Sequence, residues 1–161
     1  MPALGQRPKK ERKLIAKNRS AHHGYFIDEK FECGIVLSGT EVRSLRERGC
    51  QITDSFALIR GGECWLNGVH IAPYSNGSIF NRDPDRRRKL LLHRRQIDYL
   101  GGKLRVKGAA LVPLELYFDE NGRVKLSLGL GRGKKLYDKR ADMAARDAKR
   151  EIERALKERN R

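Results

Sequence analysis

The sequence predicts a mainly β fold, a small antiparallel barrel that carries two or three short helices and a basic C-terminal tail. At least five short strand patterns lie between turn signals, with only short helical patterns among them. No regular strand–helix–strand alternation occurs, so a parallel sheet is not expected. The 161 residues suffice for one domain with terminal extensions, and a domain of that size buries a core without disulfides or metals.

The N-terminal segment, residues 1–16, is predicted to be a flexible basic arm, because it holds prolines and lysines but no apolar period. The barrel is expected over residues 17–131. Its first strand pattern, YFIDEKFECGIVL from Tyr25 to Leu37, is aromatic and β-branched. Gly34 in this pattern indicates a bulge or a sharp bend, as closed barrels use.

A helix of about two turns is predicted next. Ser38 and Glu41 have the spacing of a capping box, Val42 and Leu45 share one helical face, and Gly49 lies just past the end. These signals fix both ends of the helix.

Two further strands and a loop are predicted in the middle of the chain. Ala57–Ile59 and Cys64–Leu66 flank a glycine-containing turn and so indicate a hairpin. Val69–Ile71 is predicted as another strand. Residues 74–89 are polar, contain Asn-Gly and Asp-Pro, and are predicted to be a loop.

A helix and a long hairpin complete the predicted barrel. Ile97, Leu100 and Leu104 recur at helical spacing and favour a helix over His93–Lys107. Two strands with strict alternation follow, from Val112 to Phe118 and from Val124 to Leu130, with Asn-Gly between them. This hairpin is the most strongly predicted element.

The C-terminal tail, residues 132–161, is predicted to be disordered alone and helical when bound. Residues 138–159 are rich in alanine and charged helix formers, with Ile152 and Leu156 as the large aliphatic side chains. The helix propensity is high, but no stripe of large apolar residues is present to dock such a helix.

The charge distribution favours nucleic acid as the partner, with an anionic membrane surface as the second possibility. Of the formal charge of +16, residues 1–19 contribute +6, residues 82–95 contribute +5 and the tail contributes +6. The rest of the chain is therefore almost neutral. Clustering of this kind is typical of a scaffold that presents phosphate-contacting segments.

Cysteine usage predicts a reducing compartment. Cys33, Cys50 and Cys64 are odd in number and unequally spaced, so neither a disulfide framework nor a zinc site is indicated. The N-terminal segment contains no apolar run long enough for a signal peptide or a membrane span. A soluble cytoplasmic protein is expected, with no cofactor or metal.

Several residues could serve chemistry or RNA binding. His22 and His23 lack the further ligands that a metal site needs, and stacking on unpaired bases is favoured for them. The GLGRGK segment at 129–134 only superficially resembles a phosphate-binding loop and is interpreted as a strand end leading into a hinge. Glu41 is favoured as a helix cap. Glu32 could form a salt bridge or accept hydrogen bonds from a base edge.

The basic strip DRRRKLLLHRR at 85–95 has an apolar centre. Leu90, Leu91 and Leu92 cannot all point inward from an ordinary strand, so one could be exposed for base stacking; the alternative is that all three belong to the core.

Five segments resemble the bacterial SsrA-binding protein (small protein B) family, which partners transfer-messenger RNA in trans-translation. They are AKNRSAHHGYFI, FECGIVLSGTEVRSLR, DSFALIRGGECWLNGVHIAPY, DPDRRRKLLLHRRQID and GRGKKLYDKR, in order over roughly residues 14–140. The resemblance implies an OB-type barrel of about six strands, which agrees with the pattern-based prediction.

The resemblance also implies a function. The barrel would bind the tRNA-like domain of transfer-messenger RNA, in place of an anticodon stem. On a stalled ribosome, the tail would enter the empty mRNA channel as a helix, next to the decoding centre of the small subunit. Elongation factor Tu would take part in delivery, and the protein would act as a monomer without catalysis.

Transferred to this chain, the resemblance implies two sets of site residues. The surface for the tRNA-like domain would comprise possible phosphate contacts, base-edge or sugar partners and stacking groups, namely Asn18, Arg19, His23, Tyr25, Glu32, Arg88, Lys89 and Leu91. The decoding-centre element would comprise Lys134, Lys135, Tyr137, Asp138, Lys139 and Arg140. Some family members have histidine in place of Tyr137. Only histidine titrates near neutral pH, so a proton-transfer role is not expected at this position.

Two other functions fit the residues less well. One is a constitutive ribosomal protein whose basic tail threads into rRNA. The other is an RNA-processing enzyme that uses His22, His23 and a carboxylate.

Overall fold

The computed structural model describes residues 12–76 and 80–160. Its seven strands pair antiparallel in one sheet, in the order β1-β6-β3-β4-β5-β2-β7, and additional pairing between β6 and β7 closes the sheet into a barrel. The strands are β1 (Lys13–Lys17), β2 (Tyr25–Ile35), β3 (Phe56–Arg60), β4 (Glu63–Asn67), β5 (Arg88–Leu91), β6 (Ala109–Phe118) and β7 (Val124–Gly133). The helices are α1 (Ala21–Gly24), α2 (Gly39–Arg48), α3 (Arg94–Lys103) and α4 (Leu136–Arg159). The predicted fold class is therefore confirmed.

The predicted β6–β7 hairpin is present, although the strict alternation predicted for its first strand is interrupted. Its turn is closed by Asp119, whose carboxylate accepts the backbone N–H groups of Asn121 and Arg123, each at 2.9 Å. Gly122 has a φ of 78°, a conformation that favours glycine. In β7, Leu126, Leu128 and Leu130 alternate and are buried in the core. In β6 the register shifts between Pro113 and Glu115, so that Leu116 belongs to the core whereas Leu114 belongs to a second cluster.

Strand β2 is paired on both edges, with β7 along most of its length and with β5 at its end. The predicted irregularity is present in this strand but at a different position. The register shifts between Ile27 and Glu29, whereas Gly34 pairs regularly with both Lys125 and Leu91. A methyl group at Gly34 would lie 3.3 Å from Leu91 Cβ, so close approach of the two strands is what favours glycine there.

Helix α2 begins and ends at its predicted signals. The Ser38 hydroxyl accepts the Glu41 backbone N–H, and the Glu41 carboxylate accepts the Ser38 backbone N–H at 3.0 Å. Gly49, with a φ of 68°, follows the last turn. The capping box is therefore confirmed.

The core lies inside the barrel and is almost entirely aliphatic. It includes Leu66, Leu90, Leu116, Leu126 and Leu128, each no more than 1% exposed. A second, smaller cluster lies outside the barrel wall, where Ala21 of α1 packs on Val112 and Leu114 of β6. Burial of these apolar surfaces is the main stabilising contribution to the fold.

The assignment of residues 13–16 to the predicted flexible arm is wrong. Strand β1 pairs with β6, and Ile15 and Ala16 pack against the core. The apolar run Leu14–Ala16 is too short to show the alternation of a strand. It forms a strand because it pairs with the edge of β6. Residues 1–11 of the predicted arm lie outside the described residues.

Two predictions in the middle of the chain are also corrected. Val69–Ile71 is not a strand: its backbone forms only an isolated bridge between His70 and Gln51, although Val69 and Ile71 are buried. The predicted loop over 74–89 ends earlier, because Arg88 and Lys89 belong to β5, which completes the barrel between β4 and β2. Residues 77–79 of that loop lie outside the described residues.

The two remaining helices differ in their packing. Helix α3 begins after His93 as predicted but ends at Lys103, earlier than the predicted Lys107. Its Leu100 is fully buried. Helix α4 spans most of the predicted tail, and every described side chain after Asp142 is exposed.

Candidate nucleic-acid interface

Strand β5 has a basic side chain on each face of the barrel wall, with Arg88 on the inner face and Lys89 on the outer face. Its side chains alternate: Arg88 and Leu90 are each 1% exposed, whereas Leu91 is 52% exposed and Lys89 is half-exposed. The three consecutive leucines are therefore not all core residues. Leu91 is the exposed one, and Leu92 packs partly against the core.

Arg88 lies in the protein interior, which corrects its predicted role as a phosphate contact. Its Nε donates to Glu41 Oε2 at 2.7 Å, Nη1 donates to the Val69 carbonyl at 2.7 Å and Nη2 donates to the Pro84 carbonyl at 2.9 Å. A buried guanidinium needs such partners to offset the loss of hydration. Arg88 therefore joins α2, β5 and the preceding loop and is not available to RNA.

Glu41 completes this buried cluster. Its side chain is 6% exposed and accepts hydrogen bonds from Arg86, Arg88 and the Ser38 backbone. Burial opposes ionisation of Glu41, but the hydrogen bonds from Arg86, Ser38 and Arg88 outweigh it and hold the pKa of the carboxyl below its ordinary value. The sequence identified the cap but gave no sign of the two arginines, which are more than 40 residues away.

The outward faces of β3, β4 and β5 form a surface that combines aromatic and basic side chains. Trp65 lies opposite Leu58 on one side and Lys89 on the other. The guanidinium of Arg87 lies 4.9 Å from the centre of the Trp65 ring, and Lys89 donates to Glu63 at 2.9 Å. Phe56 at the start of β3 is 51% exposed. Rings and cations arranged in this way are suited to unpaired RNA bases and phosphates.

Trp65, Phe56 and Arg87 were not among the predicted site residues. The signal that could have identified them is strand alternation, which places Phe56 and Leu58 on the face opposite to buried Ala57. In β4, the same alternation places Trp65 on the face opposite to buried Cys64 and Leu66.

Glu32 lies on β2 with its side chain 48% exposed. Its Oε2 accepts a hydrogen bond from Arg12 at 3.3 Å and another from the Tyr117 hydroxyl. Burial, together with this hydrogen bond to Glu32, raises the pKa of Tyr117. The salt-bridge interpretation of Glu32 is thus seen in the structure, while its exposed fraction leaves contact with a base edge as a prediction.

Asn18 is 5% exposed and is satisfied within the protein. Its Nδ2 donates to the Pro113 carbonyl at 2.9 Å, and its Oδ1 accepts from the Ser20 hydroxyl at 3.0 Å. These bonds fasten the turn between β1 and α1 to β6. The predicted base or sugar contact by Asn18 does not fit this placement.

Three other predicted RNA contacts are accessible. Arg19 is exposed, and His23 and Tyr25 are half-exposed at α1 and the start of β2. The packing of Ala21 against β6 holds this short helix on the barrel. Their RNA contacts remain predictions.

The predicted decoding-centre residues differ in accessibility. Tyr137 is 68% exposed, Lys135 and Arg140 are exposed, and Asp138 and Lys139 are half-exposed. Asp138 accepts the Lys135 backbone N–H at 3.3 Å and so caps α4. Lys134 is the exception, because its side chain is 4% exposed.

Thiol and metal chemistry have little support in the described part of the chain. Burial raises the pKa of Cys33 to about 12 and those of Cys50 and Cys64 to about 11, so these thiols stay protonated near neutral pH. Residues 12–76 and 80–160 contain no group of three or more His, Cys, Asp or Glu side chains that could hold a metal. No helix among the described residues combines the length and apolar character that a membrane crossing requires.

Comparison with known proteins identifies relatives along most of the chain. The family model described as SmpB protein matches residues 15–158. The SsrA-binding protein of Acetivibrio thermocellus is 56% identical over 150 residues, which cover 93% of this chain and 97% of the relative. That of Geobacter sulfurreducens is 55% identical over 148 residues, covering 92% of this chain and 96% of the relative.

One solved structure matches in both fold and sequence. It is described by the words "tmRNA-SmpB: a journey to the center of the bacterial ribosome", and one of its chains superimposes with a TM-score of 0.62 at 52% identity. The match covers 74% of this chain and 84% of that chain. Since the family model extends from β1 into the last turns of α4 and curated relatives agree at more than half of their positions, the chain belongs to the SmpB family.

Proposed function

We propose that this protein binds the tRNA-like domain of transfer-messenger RNA and brings it to stalled ribosomes for trans-translation. The observation that carries the proposal is the 56% identity to an SsrA-binding protein across nearly its whole length. The clustered positive charge and the exposed aromatic side chains of the barrel fit a structured RNA as the partner. In this role the protein contributes binding and positioning, and no residue performs catalysis.

The barrel is the part that would bind the tRNA-like domain. Its accessible candidates are Arg19, His23, Tyr25, Glu32, Lys89 and Leu91. Arg88 and Asn18 support this surface from inside, since both are buried and hydrogen-bonded within the protein. The barrel would occupy the place of an anticodon stem, so that protein and RNA together have the shape of a tRNA.

The tail is the part that would sense the empty mRNA channel. Helix α4 is exposed after Asp142, and the exposed cations Arg132 and Lys135 lie just before it, so it can enter an RNA-lined channel without disturbing the barrel core. Tyr137, Lys139 and Arg140 on the first turns are suited to rRNA contact by stacking and charge. A channel filled with mRNA would exclude the helix. Delivery would involve elongation factor Tu.

Competitive binding tests the RNA part of the proposal. Fluorescence anisotropy with the labelled tRNA-like domain, with elongator tRNA as competitor, is measured at two salt concentrations, because a protein with a charge of +16 binds any RNA at low salt. Preference for the tRNA-like domain at the higher salt is expected. Equal binding that disappears with salt would contradict specific recognition and favour a general ribosomal RNA binder.

Removal of the tail tests the division of labour. A variant ending at Gly133 keeps all seven strands, and we expect it to bind the tRNA-like domain with nearly unchanged affinity. We expect this truncated variant to support no tag addition on ribosomes stalled at the end of a truncated mRNA. Loss of both activities together, measured alongside the full chain, would show that barrel and tail do not act as separate modules.

A further inference from the structure

The two carboxylate oxygens of Glu32 have different environments. Oε2 accepts a hydrogen bond from the Tyr117 hydroxyl and another, at 3.3 Å, from Arg12. Within residues 12–76 and 80–160, no donor is hydrogen-bonded to Oε1. The side chain is 48% exposed, so it is open to a donor from outside the protein. One oxygen is therefore held by the protein, and the other can accept a hydrogen bond from a ligand.

The Tyr117 hydroxyl is a fixed donor. Tyr117 lies on β6 and is 5% exposed, and a buried tyrosine hydroxyl needs a hydrogen-bond partner. Burial, together with the hydrogen bond to Glu32, raises the pKa of Tyr117, so the hydroxyl keeps its proton near neutral pH. Because the ring is packed in the barrel wall, its hydroxyl fixes the position of Glu32 Oε2.

Arg12 adds a second restraint on the same oxygen. Its guanidinium lies 5.0 Å from the centre of the Tyr117 ring and donates to Glu32. An exposed ion pair alone contributes little to stability, but the ring below the cation limits where the guanidinium can lie. A side chain that is already ordered loses less conformational entropy when a ligand binds it. The two donors therefore prepare the Glu32 carboxylate for binding.

The sheet places this group on the same outward surface as the predicted RNA contact Leu91. Leu91 pairs with Gly34, Gly34 pairs with Lys125, and Lys125 pairs with Tyr117, so the four residues form one row across four strands. Gly34, Leu91 and Lys125 line a depression of about 320 Å³. Glu32 precedes Gly34 by two residues and lies on the same face of β2. A base edge at this surface would meet an apolar side chain, a cation and an accepting carboxylate oxygen.

We propose that Tyr117 and Arg12 are positioning residues, which hold the Glu32 carboxylate so that Oε1 accepts one N–H donor of an RNA base. Base edges offer amino and imino N–H groups, whereas phosphates offer only acceptors. A carboxylate oxygen at a fixed position therefore selects among RNAs by where such a donor lies. This inference rests on the proposed function of the barrel and deepens it.

The first experiment tests the Tyr117–Glu32 bond without RNA. Urea unfolding, followed by Trp65 fluorescence, is measured for Tyr117→Phe, Glu32→Ala and the double variant. The stability lost in the double variant should be smaller than the sum of the two single losses, because both single substitutions remove the same bond. Additive losses would overturn the proposal, since Tyr117 would then not hold Glu32.

The second experiment measures the ratio of the affinities for the tRNA-like domain and for elongator tRNA at the higher salt concentration. Tyr117→Phe and Arg12→Met should each lower this ratio about threefold to tenfold, because Glu32 must then be ordered during binding. Neither should lower it further in a Glu32→Ala background. A purely structural role would weaken the binding of both RNAs alike, and an unchanged ratio would overturn the proposal.

Two substitutions elsewhere on the barrel serve as matched controls. Tyr99 also donates its hydroxyl to a glutamate of β2, Glu29, so Tyr99→Phe removes an equivalent bond. The guanidinium of Arg46 lies 5.4 Å from the centre of the Phe118 ring, so Arg46→Met removes an equivalent cation. Both controls should keep the affinity ratio of the parent protein. Losses equal to those of Tyr117→Phe and Arg12→Met would overturn the proposal.

Direct phosphate contact by Arg12 predicts a different result. Arg12→Met would then lower the slope of log affinity against log salt concentration by about 1 for both RNAs and leave the affinity ratio unchanged, which would overturn its positioning role. A parent protein without preference for the tRNA-like domain would contradict the proposed function itself, while the unfolding measurement would still report the Tyr117–Glu32 bond. A parent preference that survives Tyr117→Phe would overturn only the positioning inference.

Discussion

The barrel and the tail helix of this protein are stabilised in different ways. The barrel buries a continuous aliphatic core and one charged cluster, Glu41 with Arg86 and Arg88. Helix α4 has 24 residues, and its described contacts with the rest of the chain are concentrated before residue 143. The barrel is ordered by burial, whereas α4 relies on helix propensity and on side-chain pairs within the helix, such as Arg146 with Asp142.

This difference suits the two proposed tasks. A surface that recognises a folded RNA must be pre-organised, because ordering it on binding would reduce affinity. A segment that enters a channel only when the channel is empty must be separable from the core. The charge is divided accordingly: in the barrel Arg88 stabilises the fold from inside, while the basic side chains of α4 after Asp142 are exposed.

The largest effect is expected from breaking the buried charged cluster. Glu41→Gln leaves the Arg88 guanidinium buried without its ionic partner and should lower the free energy of unfolding by about 3–5 kcal/mol. Urea unfolding followed by tryptophan fluorescence measures this, since the single Trp65 lies on β4.

The matched control is Glu63→Gln, which breaks the partly exposed pair with Lys89. Its expected cost is at most about 1 kcal/mol. Equal effects of the two substitutions would mean that the Glu41 cluster contributes no more than a surface ion pair.

The same cluster predicts how stability depends on pH. Hydrogen bonds from the arginines hold the folded-state pKa of Glu41 below its ordinary value of 4.5. Its contribution is therefore fully present above pH 4.5 and is lost as pH falls through the lower, folded-state pKa. The stability advantage of the parent protein over Glu41→Gln should shrink as the pH falls below 4.5. An advantage that grows towards acid pH would contradict this assignment.

A smaller effect is expected on the RNA-binding face of the barrel. Lys89→Ala should weaken the binding of all RNAs alike. It should also reduce the slope of log affinity against log salt concentration by about 1, as expected for the loss of one phosphate contact. Glu32→Ala should cost roughly 1–3 kcal/mol and act mainly on the preference for the tRNA-like domain over elongator tRNA, if Glu32 contacts a base edge. Titrations of both RNAs at two salt concentrations distinguish the two. Equal loss for cognate and unrelated RNA in Glu32→Ala would assign the residue to its contacts with Arg12 and Tyr117.

The local signals of the sequence predicted much of the fold. The β6–β7 hairpin, its Asn-Gly turn and the Ser38–Glu41 capping box each depend on residues close in the chain, and all three are confirmed. The strict alternation predicted for β6 is wrong at Val112 and Leu114, because the register shifts between Pro113 and Glu115. Strands β1 and β5 were missed because each is short and has a weak pattern of its own. Their formation depends on an available edge, supplied by β6 for β1 and by β2 and β4 for β5.

The candidate site was less predictable for the same reason. Arg88 and Lys89 are adjacent in the sequence and equally basic, yet strand alternation buries one and exposes the other. Lys134 and Lys135 likewise differ only in what the fold places around them. The type of a residue predicts the chemistry that it can perform, but whether it faces RNA or the protein interior depends on tertiary packing.

The smallest predicted effect concerns α4 itself. Ala148 is exposed in the middle of the helix, so Ala148→Gly should lower helix stability by about 1 kcal/mol without removing a contact to the barrel. Far-UV circular dichroism should show reduced helicity, while thermal unfolding of the barrel, followed by Trp65 fluorescence, should be unchanged. A lower unfolding temperature of the barrel would show that α4 and the barrel unfold together.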